Sequence, residues 1–316
     1  MTTRWIPLAA VAVAVSVSVA VGRGQSQPTS SHTFKEIAPG VYSAIGSSTS
    51  NAGSNSAVIV NQDDVVIVDS HMTPDAGRAL LQDIKTITNK PVRFLINTHF
   101  HYDHTDGNQA FPKPIDIIGT EYTRARLSAP DYMKKGMLGN LLAGQNTLAP
   151  QLKDLTPIAP NVTLDERMTL WRGDREIRLL YLGRGHTGGD VVVYLPKEKV
   201  LCTGDLLVNQ IANLIDGFVD VWPDTLEKLK PVDFTDVIPG HGEPFKGKER
   251  IDWFQAYLRD LWKQATALHD KKVPAADAAK QIDMSAHKAQ YASINGPGVN
   301  PAYVSRMYEV MEKRAE

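Results

Sequence analysis

The tightest constraint in the sequence is Asn97-Thr98-His99-Phe100-His101-Tyr102-Asp103-His104-Thr105-Asp106-Gly107. Four metal-binding side chains, His99, His101, Asp103 and His104, fall within six residues, directly after an apolar, strand-like run at 92–96. Imidazole and carboxylate suit zinc and its borderline neighbours. Four such groups on one turn are too many for a single tetrahedral ion that must keep a position open. The spacing points to two ions sharing the turn, and the rest of the chain has to supply the missing ligands.

Composition allows this and narrows the partners. The chain has 316 residues, 42% hydrophobic and 22% charged, enough for a sizeable core. A formal net charge of -1 argues against a basic footprint for nucleic acid or an anionic membrane, which leaves a small-molecule substrate. Oligomeric state is not legible. Arg4 followed by the apolar, Ala- and Val-rich run 6–21 and small-x-small sites at 18–22 reads as a secretory signal over 1–22. The expected location is periplasmic or secreted, with no stable membrane association after cleavage. Residues 23–32 read as a disordered linker. The lone cysteine, Cys202, lies in an apolar run and reads as a core residue.

Taken in order, the pattern alternates strands and helices. Runs at 33–37, 41–45, 57–60 and 65–68 read as two hairpin-linked strand pairs, with the Ser-, Gly- and Asn-rich stretch 46–56 a flexible loop between them. Thr73-Pro74 opens a helix with Ala76, Leu80, Leu81 and Ile84 on one face. A strand at 115–118, helices at 122–127 and 132–143, then strands at 168–171, 176–182, 191–195, 200–203 and 236–238 follow. Short helices are expected at 225–229, 275–282 and 302–313, and a long amphipathic one at 250–269. The expected division is a catalytic domain over 33–270 and a helical extension over 271–316.

Four of these strands end in a glycine-bearing loop that carries a ligand-type side chain. The run at 177–182 leads to Gly185-His186-Thr187-Gly188-Gly189, the run at 200–203 to Gly204-Asp205, the run at 236–238 to Pro239-Gly240-His241-Gly242, and 92–96 to the opening turn. Five of the nine histidines fall in these loops. Seven ligands, His99, His101, Asp103, His104, His186, Asp205 and His241, suit two ions. Asp69, at the end of a strand, is the expected carboxylate partner of a ligating imidazole. His71 reads as a surface residue. Thr187 is either a support for the site or a plain loop hydroxyl.

The set His-x-His-x-Asp-His, Gly-His-Thr, Gly-Asp and Pro-Gly-His-Gly resembles the metallo-β-lactamase superfamily over roughly residues 35–270. That resemblance implies an α/β fold, an αββα sandwich of two mixed β-sheets flanked by helices. It implies two Zn²⁺, one on His99, His101 and His186 and one on Asp103, His104 and His241, bridged by Asp205. It further implies a hydrolase in which a hydroxide between the metals attacks an acyl bond, with Asp103 assisting. The stretch 185–201 looks most like subclass B1 β-lactamases, and Asn213 loosely matches their substrate-contacting Asn. Those enzymes carry Cys at the position of Asp205, usually Arg at that of His104, and Lys at that of Val208. Asp205 is instead the pattern of glyoxalase II-like thioesterases and lactonases, and its oxygen-rich second site also suits Fe or Mn. The substrate is thus expected to be a β-lactam or a related cyclic amide or ester. A lactone, ester or thioester and a non-catalytic metal-binding partner protein are the alternatives.

Overall fold

The computed structural model describes residues 1–2, 30–144 and 148–315, and Ser31–Glu316 forms one compact unit. The expected signal segment beyond residue 2, and the expected linker up to residue 29, lie outside the described residues. Seven strands make the first sheet in chain order: β1 (His32–Ala38), β2 (Val41–Gly46), β3 (Ser56–Val60), β4 (Val65–Val68), β5 (Val92–Ile96), β6 (Asp116–Thr120) and β7 (Val162–Leu164). Its pairs are antiparallel through β4 and parallel from β4 to β7. The second sheet holds β8 (Arg167–Arg172), β9 (Arg175–Tyr181), β10 (Val191–Leu195), β11 (Val200–Gly204), β12 (Asp236–Pro239) and β13 (Phe245–Lys246), in the order β13-β12-β11-β10-β9-β8. Only β11 and β12 run parallel there.

The helices are α1 (Pro74–Asp83), α2 (Tyr102–Thr105), α3 (Glu121–Leu127), α4 (Gly136–Ala143), α5 (Ala149–Leu152), α6 (Trp222–Glu227), α7 (Glu249–Asp270), α8 (Ala275–Gln281) and α9 (Pro301–Ala315). Ile59, Val66 and Ile96 of the first sheet meet Leu179, Val193 and Cys202 of the second. The outer face of the first sheet, with Val58, Ile67 and Leu95, packs on Leu80 and Ile84. The outer face of the second packs on Trp222, Phe254, Leu258 and Leu261. The result is the four-layer αββα sandwich. It explains why β4 (Val65-Val66-Ile67-Val68) and β10 are apolar throughout rather than alternating: helices or the other sheet cover both faces. Cys202 sits in the central layer, where burial pushes its thiol pKa up and leaves it inert. Residues 271–316 join the same core through Ala278, Ile282, Met284, Val304 and Met307.

Local departures from the sequence reading have physical causes. The helix expected at 132–143 is broken: a 3-10 turn at Tyr132–Lys134 precedes α4, because Gly136 adopts a left-handed φ of 64°. The helix α6 starts earlier than expected, with Pro223 in its first turn, where a missing N–H costs nothing. Half of the loop at 46–56 is pinned rather than flexible. Asn55 Nδ2 donates to the carbonyls of Pro239 and Gly242, Ser54 Oγ donates to Asp103 O, and Met72 N donates to Ala52 O.

The expected disordered linker over 23–32 is corrected at its last residue. His32 opens β1 and is 5% exposed, because its side chain follows the strand alternation with Phe34 and docks on α1. Its Nδ1 lies 2.9 Å from Asp83 Oδ2 and its Nε2 3.1 Å from Nε2 of His71, which is fully buried rather than at the surface. Burial, and then the neighbouring His32, push the His71 pKa from 6.5 down to about 3. The folded state therefore takes up this proton later than the unfolded one does. Stability should fall as pH drops below about 6.5 and stop falling near 3, with a slope of up to about 1.4 kcal/mol per pH unit from this residue. Denaturant titrations of wild type and His71→Gln between pH 7 and pH 4 should show a shallower acid slope in the variant. Equal slopes would remove His71 from the acid response.

Candidate metal centre

Each ligand-type side chain stands just past the C-terminal end of a strand: Asp69 after β4, His99 after β5, Asp205 after β11 and His241 after β12. His186 follows β9 on its glycine loop. After β5 the chain bends through 98–100, and the one-turn helix α2 starts at Tyr102, with His101 as its extended N-cap. That change of direction aims His99 and His101 at one place and Asp103 and His104 at another. Thr98 O accepts from Val191 N, the first residue of β10, which ties the turn to the second sheet. Glycine is required where these loops touch. A Cβ on Gly107 would lie 1.8 Å from Ser70 O, and one on Gly240 would lie 2.1 Å from Asp205 Oδ1.

Two triangles of donor atoms result. In the first, His101 Nδ1 lies 3.1 Å from His99 Nε2 and 2.9 Å from His186 Nε2. In the second, His241 Nε2 lies 3.3 Å from His104 Nε2 and 3.2 Å from Asp103 Oδ2. Asp205 stands between them, with Oδ2 3.5 Å from His186 Nε2 and 3.2 Å from His241 Nε2, and Oδ1 3.5 Å from His104 Nε2. Ligands about 2.0–2.1 Å from a tetrahedral ion are spaced about 3.3–3.4 Å from each other, so these are the spacings of ligand sets. The first set is fully buried, as are His104 and Asp205.

The outward nitrogens of four imidazoles are occupied. His104 Nδ1 donates to Asp69 Oδ2 at 2.7 Å, and His186 Nδ1 donates to Asn213 O at 2.9 Å. His101 Nε2 meets Asp216 Oδ2 at 3.0 Å. His99 Nδ1 meets Thr98 Oγ1 at 3.0 Å, and that hydroxyl in turn donates to Asp69 Oδ2 at 2.8 Å. A neutral imidazole whose outer nitrogen carries the proton presents its inner lone pair, so the donor set fits cations. Asp205 Oδ1 is buried without a hydrogen-bond partner, a further sign of a missing positive charge.

The electrostatics divide the two triangles. Burial, with the neighbouring imidazoles, holds His99 well below its ordinary pKa, and burial takes His186 down to about 3. In the second triangle burial also works against the charged imidazole, but the carboxylates win. Asp103, Asp69 and Asp205 bring His104 up to about 9, and Asp205 and Asp103 bring His241 up to about 11. Burial pushes the Asp103 and Asp205 carboxyls up, yet the same imidazoles hold both well below the usual range. The first triangle is made of imidazoles alone and the second holds a carboxylate, Asp103, with Asp205 shared between them, as two unequal cation sites would be.

Five of the seven ligand candidates, His101, Asp103, His186, Asp205 and His241, line one cavity of about 280 Å³ together with Val208, Asn213 and Tyr303, and His99 and His104 join them in the donor groups. Asp69 lies against them, 2% exposed, at a left-handed φ of 63°. Asn213 lines the cavity, but it holds His186 through its carbonyl, and its Oδ1 accepts from Ile215 N. Thr187 turns away: its Oγ1 donates to Asp190 and accepts from Gly189 N, so it shapes the loop. Sequence reasoning missed Asp216 as the partner of His101. Its loop has no periodic pattern, and only the fold shows which way it reaches.

The profile of the family described as "Metallo-beta-lactamase superfamily" matches residues 51–241. A metallo-beta-lactamase type 2 of Bacillus cereus is 26% identical over 196 residues, covering 60% of this chain and 67% of that protein. A linear primary-alkylsulfatase of a Pseudomonas species is 25% identical over 240 residues, covering 66% of this chain but only 44% of the alkylsulfatase. Among solved structures, a metallo-beta-lactamase from Pontibacter korlensis superposes with a TM-score of 0.57 at 22% identity, over 72% of this chain and 99% of its own. The sec-alkylsulfatase Pisa1 from Pseudomonas sp. superposes with a TM-score of 0.65 at 16% identity, over 90% of this chain and 50% of its own. With the profile spanning more than half of the chain and all seven ligand candidates converging, the chain belongs to the metallo-beta-lactamase superfamily of metal-dependent hydrolases.

Proposed function

We propose that the chain is an exported dinuclear zinc hydrolase that opens an acyl bond of a small molecule, a β-lactam or a related cyclic amide or ester. The observation that carries this reading is the pair of donor triangles joined by Asp205 on the wall of one cavity. His99, His101 and His186 would hold one ion, and Asp103, His104 and His241 the other. Bound there, zinc supplies Lewis-acid polarisation of a carbonyl and a water of lowered pKa. The chain's own groups do the rest. The all-imidazole triangle adds no carboxylate of its own, so an ion held there would keep its positive charge for the side where a carbonyl oxygen gains charge. Asp103, on the cavity wall, is the carboxylate placed to orient a water and carry its proton towards a leaving group. Export rests on the apolar run at 6–21.

A second reading, sulfate-ester hydrolysis, is favoured by the alkylsulfatase likeness, which extends past the residues that the family profile matches. Purified protein loaded with Zn²⁺ decides between them, assayed on a chromogenic cephalosporin, an aryl lactone, an aryl thioester and 4-nitrophenyl sulfate, with metal content measured alongside. Turnover of an acyl substrate that a chelator abolishes is the expected result. Turnover of the sulfate alone would move the assignment to the second reading. Two bound metals with no turnover would leave a non-catalytic metal-binding protein.

A further inference from the structure

Beside the metal centre the protein carries a groove lined by three arginines and a lysine, with three carboxylates among them. It has a volume of about 590 Å³, and its walls include Tyr122, Arg126, Arg184, Phe218 and Arg306. Asp216, the partner of His101, lines it too, and both Asp216 and Arg126 line a smaller cavity that reaches His101 itself. The groove therefore opens next to the first donor triangle.

Arg126 and Arg184 are stacked on rings rather than paired with carboxylates, and Arg306 is stacked as well as paired with Glu309. Arg126 stacks over Phe100, 4.7 Å from the ring centroid. Arg184 and Arg306 lie 4.7 and 4.8 Å from the centroid of the same ring, Phe218. A stacked guanidinium has one face covered and its N–H edge free to fork onto an oxyanion. Neither Arg126 nor Arg184 makes an ion pair among the described residues. The acidic groups of the groove are engaged within the protein. Asp216 is on His101, and Glu309 is on Arg306 and Lys313. Asp220 also has a partner. Arg306 comes from α9, outside the 51–241 core, so the C-terminal segment supplies part of this wall.

We propose that this groove binds the anionic group of an amphiphilic substrate, a carboxylate or sulfonate-type head set apart from the bond that is cleaved. Ile215 and Tyr122 take its apolar body. That the ligand is a substrate rests on the hydrolase reading; that the groove binds an organic anion does not.

The test is calorimetric titration of the metal-loaded full chain at low salt with 4-phenylbutanesulfonate, 4-phenylbutanoate and neutral 4-phenylbutanol. None of the three can be hydrolysed, so failure of the activity panel leaves the result standing. The anions should bind at least about tenfold tighter than the alcohol and weaken on raising NaCl. Arg126→Ala and Arg184→Ala, at exposed positions, should each weaken anion binding by about three- to tenfold with metal content unchanged. Tight binding of one anion alone supports the groove and names its head group. Equal affinity for the alcohol overturns the proposal. So does anion binding that neither arginine variant alters, since the anion would then sit elsewhere.

Discussion

Gly240→Ala should empty the second cation site without altering a single ligand. An added Cβ would lie 2.1 Å from Asp205 Oδ1 and 2.8 Å from His104 Cε1, with Gly204 C at 2.9 Å behind it. No side chain can occupy that space while Asp205 stays between the two triangles. Asp205 and His104 are both buried, so neither can swing into solvent to relieve the clash. Both belong to the second site, and Asp205 also approaches His186 of the first. The expected result is loss of one metal equivalent and a fall in kcat/KM of about 10–100-fold, the scale seen when a group that orients ligands is displaced. Overpacking should add about 1–3 kcal/mol of destabilisation. Gly242→Ala is the control. The atoms nearest its Cβ belong to the Asn209 side chain and not to a ligand, and its φ of 79° makes it cost stability while the metals stay. Metal analysis and kinetics on the two variants check this, and full metal content in Gly240→Ala would show that Asp205 is not confined as described.

The sequence carried the metal centre more legibly than its surroundings, for a physical reason. Each ligand follows an apolar strand on a loop that carries a glycine, so strand end, turn and donor type coincide in one short motif. Individual strands were legible for a similar reason, since those buried on both faces read as continuous apolar runs, whereas their stacking into an αββα sandwich was implied by the family resemblance. What stayed hidden depends on contacts between residues distant in sequence. Asp216 reaches His101 across 115 positions, and nothing in the run 212–216 marks that direction. Asn213 serves through its carbonyl, which every residue has. The buried pair His32 and His71 joins segments 39 residues apart, although the alternation of His32 with Phe34 along β1 was a usable sign that it points inward. Gly136 broke a helix whose Met and Leu spacing was otherwise helical, because side-chain period says nothing about a left-handed residue.

Asp69→Asn separates charge from shape at the residue that joins the two donor triangles. Asparagine has nearly the volume of aspartate and tolerates the left-handed φ of 63°, so the backbone has no reason to move. The hydrogen bonds do. Asp69 accepts from Thr98 N at 2.8 Å through Oδ1, and from Thr98 Oγ1 at 2.8 Å and His104 Nδ1 at 2.7 Å through Oδ2. An amide keeps one acceptor oxygen and turns the other atom into a donor. If its oxygen stays on Thr98 N, its NH₂ faces the Thr98 hydroxyl and the His104 N–H, two donors. The relaxed arrangement moves the His104 proton to Nε2, the nitrogen that points at Asp103, Asp205 and His241, and the lone pair that would bind a cation is lost. Removing the acceptor of a buried charged network should cost about 1–3 kcal/mol of stability. The larger effect should be on metal: affinity at the second site falls by about 10–100-fold. The first site weakens less, because Thr98 still faces His99 Nδ1. Chelator competition that resolves the two ions checks the order, and equal losses at both sites, or none, would mean that Asp69 does not set the tautomer of His104.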